Sequence, residues 1–255
     1  MAEQTIAQQY DVEQPQVTQA PEQSKPKQPR QLVRFSFYKL DPQWQLLPAD
    51  VRERGKQEVV RIFQDHGEQA LIRSFGLYGV RTNCDFMLWQ ATYDIEDLRR
   101  LSSDIRRSSM GPYLREVNSM LSMTKRSVYV GKNARGAAHD PRLVIAPLDK
   151  KYLFVYPFVK TRPWYALPME DRSRMMKQHI AVGLKYPSVT INTTYSYGLD
   201  DQEFVVAFET DSITDFLDLV EELRYTEASM YTLRDTPMYT CTAEPLDEIL
   251  EAIGA

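Results

Sequence analysis

A set of residues recurs along this chain at a spacing of about half its length, and no other feature restricts its fold as much. Trp44, Leu47, Pro48, Arg52 and Arg54 reappear 120 positions later as Trp164, Leu167, Pro168, Arg172 and Arg174. Phe86, Thr92, Ile95, Asp97 and Leu101 are matched at an offset of 118 by Phe204, Thr210, Ile213, Asp215 and Leu219. A repeat of this kind means a duplicated structural unit, so the two halves must fold alike. With 255 residues, 43% of them hydrophobic and 11% aromatic, the chain can give each unit a core.

Hydrophobic periodicity supplies the elements. Leu32 to Leu40 reads as a strand and Ala49 to Asp65 as an amphipathic helix. Ala70 to Val80 and Asp85 to Thr92 read as strands joined through Arg81-Thr82-Asn83. Ile95 to Arg107 reads as a second helix, and a further strand falls in Ser122 to Val130. The order β-α-β-β-α-β is the ferredoxin-like unit. It returns with strand Tyr152 to Val159, a helix from Pro168 to about Leu184, and strands Val189 to Tyr197 and Glu203 to Glu209. Helix Ile213 to Leu223, strand Met238 to Thr242 and a closing helix Leu246 to Ile253 complete it. The expected fold class is α+β: two fused ferredoxin-like repeats whose sheets pack face to face into a dimeric α/β-barrel. Residues 1–30 read as a disordered Gln/Pro-rich tail. The N-terminal half spans 31–130, a connector 131–150, and the C-terminal half, where the chemistry is expected, 151–255.

Charge and composition narrow the function. A formal charge of −4 disfavours a nucleic-acid partner, which calls for a basic surface. No apolar run approaches the roughly 20 residues that span a bilayer, and no secretory leader is visible. Cys84 and Cys241 stand alone, without metal-like spacing. Free thiols in a reducing compartment imply a cytoplasmic or stromal protein, and cytoplasmic is the expectation.

The chemically suggestive stretch is KYLFVYPFVKTRPWYALPMEDRSRMMKQH, which ends at His179. Met175, Met176, His179 and Val182 fall at helical spacing, so the histidine lies on an apolar face. A lone histidine there is usually a hydrogen-bonded core residue. Against that, the repeat places Val59 at the corresponding position, so packing needs no imidazole. His66 and His139 sit in turn-like contexts and read as surface residues, and no partner is spaced for zinc. One axial ligand beside an apolar cavity suits a haem-like macrocycle, which brings the other four ligands itself. Tyr156 could then donate an electron and proton at a haem edge, and Lys160 could pair with a propionate. Trp164 repeats Trp44 and so reads first as structural.

These motifs resemble the chlorite dismutase family, haem proteins that include the coproheme decarboxylases. The marks are YPFVK at Tyr156 to Lys160, PWYALP at Pro163 to Pro168, MMKQH ending at His179, and YGLDD followed by EFVVAFETD. The resemblance covers about residues 31 to 254. It implies the fused two-unit fold, a ring-shaped homopentamer, and His179 as proximal ligand of the iron of haem b or iron coproporphyrin III. It further implies that Tyr156 starts propionate oxidation with hydrogen peroxide as co-substrate, that Lys160 lies beside that propionate, and that Arg142 holds another. Trp164 and Ile191 join the cofactor-binding candidates. The family's distal residue is arginine in chlorite dismutases and often glutamine in decarboxylases; here the position falls on Ile191, or on Asn192 with a different gap. No arginine lies between Tyr186 and Gly198. The expected activity is therefore decarboxylase-like. A non-catalytic tetrapyrrole-binding protein is the alternative, and chlorite dismutation ranks behind both.

Overall fold

A computed structural model describes residues 28–129 and 143–255. Tail residues 1–27, connector residues 131–142, and with them His139 and Arg142, lie outside the described residues. The first half runs β1 (Leu32–Leu40), α1 (Ala49–Gly67), β2 (Leu71–Gly76), β3 (Phe86–Thr92), α2 (Ile95–Arg107) and β4 (Leu114–Met123). The second runs β5 (Tyr152–Lys160), α3 (Arg162–Ala166), α4 (Met169–Gly183), β6 (Thr190–Tyr195), β7 (Phe204–Thr210), α5 (Ile213–Arg224), β8 (Thr232–Arg234), β9 (Tyr239–Ala243) and α6 (Leu246–Ala252).

All strand pairing is antiparallel, in the order β7-β6-β4-β1-β3-β2-β9-β5-β8, and β7 also pairs with β5. The circuit therefore closes, with β8 attached outside it. The two halves meet edge to edge at short junctions, Met123 opposite Tyr195 and Phe75-Gly76 opposite Ala243-Thr242. Their inner faces share one core. Phe35, Phe37, Met87 and Trp89 of the first half cluster with Leu153, Val155, Val205 and Ala207 of the second. Alternation along a strand sends successive side chains to opposite faces, so Phe154 and Tyr156 of β5 turn outward while Leu153 and Val155 turn in.

One element assignment needs correction. The strand expected over Ser122 to Val130 is β4, which starts earlier and stops at Met123. Its length is set by β1, which it pairs with from Leu40–Leu114 to Leu32–Met123. Just before β1 begins, Gln31 closes the ladder with Thr124: the Thr124 N–H donates to the Gln31 carbonyl and the Gln31 N–H to the Thr124 hydroxyl. Trp164 lies on α3, one short helix with Pro163 in its first turn.

The outer faces differ between the halves. In the first, α1 and α2 cover the sheet and α6 returns to pack against α1 and β2. Leu246, Ile249 and Leu250 of α6 join Leu40, Val59, Leu88 and Leu101 in one cluster. In the second half α4 and α5 lie over Phe154, Tyr156, Val206 and Phe208, and among the described residues no helix stands where α6 does.

Candidate functional site

β5 carries two of the candidate residues. Tyr156 is buried on the outer face and stacks on Phe208 with centroids 5.9 Å apart. Burial pushes its phenol well above the ordinary range; the charge of Asp235 adds to this and that of Arg224 opposes it. Lys160, the last residue of β5, is also buried, and its Nζ donates to the Ala228 carbonyl at 2.6 Å. The ammonium lies 4.6 Å from the centroid of Trp164 and 5.2 Å from that of Phe158. Burial pushes its pKa down to about 8, partly offset by Glu203.

His179 sits on α4 between two apolar clusters, with Met175 and Met176 packing toward Trp164, and Val182 toward Tyr156 and Phe208. Its Nδ1 is buried without a hydrogen-bond partner. Burial, followed by the charge of Lys160, pushes the imidazole down to about 4, so it is neutral at pH 7. A neutral imidazole whose Nδ1 meets no hydrogen-bond partner among the described residues is the kind of donor that would hold the iron of a macrocycle, so the residues fit that group. His66 differs: it is largely buried, not superficial, and its Nε2 lies 2.8 Å from Asp104 Oδ2, linking α1 to α2. Among the described residues no group of three or more His, Cys, Asp or Glu gathers as a metal site.

Trp164 is buried against Met175 and Ala228 and tilts onto Tyr231, 5.5 Å away. Trp44 packs on Tyr113 at 5.2 Å in the same manner, so the repeat is structural as well as sequential. β6 separates the two distal alternatives. Ile191 pairs with Phe208 and stays half-exposed on the outer face. Asn192 turns to the other face, where Nδ2 donates to Glu209 at 2.8 Å. The apolar residue thus shares a sheet face with Tyr156.

A polar anchor escaped the sequence reading. Buried Glu203 accepts from the Lys160 backbone N–H at 2.8 Å and from Tyr165 Oη at 2.5 Å, and Tyr165 Oη lies 2.7 Å from that of Tyr197. This fixes the end of β5 that presents Lys160. The signal was the glutamate in EFVV, one residue before a strand and too ordinary a position to single out.

The chain belongs to the chlorite dismutase family, whose model matches residues 52–244. It is 32% identical to a coproheme decarboxylase of Mycolicibacterium smegmatis over 169 residues, 65% of this chain and 71% of that one. It is 25% identical to the chlorite dismutase of Ideonella dechloratans over 233 residues, 89% of this chain and 81% of that protein. The solved structure of a Candidatus Nitrospira defluvii chlorite dismutase with imidazole superposes with a TM-score of 0.78 at 25% identity, covering 88% of this chain and 95% of that one. A haem-binding protein from Thermus thermophilus gives 0.79 at 25% identity, over the same shares.

Proposed function

We propose that this protein is a haem-binding oxidoreductase that holds an iron tetrapyrrole through His179 and converts iron coproporphyrin III by peroxide-dependent decarboxylation. The observation that carries this reading is the neutral His179 imidazole, beside Lys160 and next to the sheet face that presents Tyr156. Kinship with a coproheme decarboxylase supports it. When bound, the macrocycle would supply an iron that peroxide can oxidise.

The chain's own residues divide the remaining work. His179 donates its lone pair and needs no proton removed at neutral pH. Tyr156 stays protonated at neutral pH and holds its proton at Oη, where a bound, peroxide-oxidised iron tetrapyrrole would take the electron and the proton together. Lys160 keeps a positive charge at neutral pH and holds a carboxylate by a charge-assisted hydrogen bond. Arg142 would hold a second carboxylate, and Trp164 and Ile191 would contact the macrocycle. The protein is cytoplasmic in this reading and assembles as a homopentamer, which light scattering would test. Among the described residues no helix is long and apolar enough to cross a membrane.

The test is an absorption titration of purified protein with ferric coproheme and with haem b, followed by peroxide and mass analysis of the pigment. A saturable shift followed by loss of two carboxyl groups is expected. A second reading, tetrapyrrole binding without turnover, is favoured by the half-exposed Ile191 and by Asn192 being engaged elsewhere. In that case the complex bleaches with peroxide and yields no product. Chlorite dismutation lacks its distal arginine, and oxygen release from chlorite would revive it.

A further inference from the structure

We propose that Arg172 is a further ligand-binding residue, taking a carboxylate of the tetrapyrrole from the first turns of α4. This rests on the tetrapyrrole reading and adds a residue to its site. Arg52 and Arg172 lie 120 positions apart, each one turn into its helix and each with its backbone N–H on the carbonyl of the preceding proline, Pro48 or Pro168. Both have a buried Nε without a hydrogen-bond partner.

The two guanidinium groups then diverge. Arg52 Nη1 donates to the Gly254 carbonyl, 3.3 Å away, just past the end of α6. The first half thus fills the space beside its helix with α6 and uses the arginine to clasp the end of that segment. Among the described residues the second half has no helix there. Arg172 has no hydrogen-bond or ion-pair partner for its side chain among the described residues, whereas Arg174, two positions on, is taken by Glu227 at 2.7 and 2.9 Å. Arg172, Met176 and His179 fall at i, i+4 and i+7, along one stripe of α4. By the repeat, Arg172 faces the volume that a protein segment occupies in the other half, and His179 borders the same volume in place of Val59. A partly buried guanidinium without a counter-charge is a fork-shaped receptor for a carboxylate.

Ferric haem b and its dimethyl ester, which has the same macrocycle without ionisable carboxylates, distinguish the alternatives. Each is titrated against wild-type protein, Arg172→Met and Arg172→Lys, with Arg52→Met as a control for the structural role. For Arg172→Met, affinity for the diacid should fall about tenfold or more and affinity for the ester less than about threefold. Arg172→Lys should recover part of the loss, and Arg52→Met should lower the melting temperature without this acid-against-ester difference. Equal losses on both probes, or none on either, would overturn the assignment while leaving the tetrapyrrole reading intact. If wild-type protein bound neither, that reading would fall and Arg172 with it.

Discussion

The ammonium of Lys160 rests 4.6 Å from the centroid of the Trp164 ring, held against the face of a residue that in the other half of the molecule is only packing. It bonds a carbonyl and not a carboxylate, so its charge is little neutralised and reaches His179. Replacing it as Lys160→Met should therefore raise the midpoint of His179. Following the imidazole by NMR across pH 3 to 7 checks this, and an unmoved midpoint would show that burial alone holds the ring neutral.

His179 also sets a pH dependence. Its folded value, about 4, lies below the ordinary value of 6.5, so between these limits the unfolded chain binds more protons. Stability must then rise with pH in that window and be lost as pH falls from 6.5 through 4. Thermal melts of wild type and His179→Gln should diverge there, with the flatter profile in the variant. His179→Ala should abolish a stable ferric complex at pH 7, read from the absorption spectrum.

Tyr156 separates binding from chemistry. Its ring packs in the apolar cluster beside Phe208, and Phe preserves that packing. Tyr156→Phe should change stability by less than about 1 kcal/mol and leave coproheme affinity in place. Turnover should stop. Normal vinyl formation by the variant would remove the tyrosine from the mechanism.

Gly55 offers a stability test in which two effects oppose. Alanine in a helix interior is better than glycine by about 1 kcal/mol. A Cβ at this position, however, would come within 2.5 Å of Trp44 Cη2, in a ring with no exposure to solvent. Overpacking of this kind costs about 1–3 kcal/mol, so Gly55→Ala should lower the melting temperature despite its better propensity.

α6 should carry much of the first half's stability. Leu250 is fully buried between that helix and the outer face of the sheet. Leu250→Ala should cost about 2–5 kcal/mol in denaturant unfolding, whereas Leu217→Ala, exposed on α5, should cost far less.

The amino-acid sequence by itself determined the duplication, the α+β class, the order of the elements apart from the short α3 and β8, and the helix over Ile95–Arg107, because these rest on spacing and local periodicity. It also marked His179 as foreign to the scaffold by setting it against Val59. It could not show why Val59 suffices, because that depends on α6 crossing the first half, a contact between residues almost two hundred positions apart. The start of β4 was hidden for the same reason: the length of β1, its neighbour in space, sets that strand. Whether Ile191 or Asn192 shares a face with Tyr156 turned on a register that changes sides with every residue, and a gap of one in a motif cannot fix it. The partnering of His66 with Asp104, the anchoring of Lys160 by Glu203 and the unpaired guanidinium of Arg172 all depend on which side chains meet across elements. Burial and pairing are set by three-dimensional neighbours, so only the tertiary structure decided them.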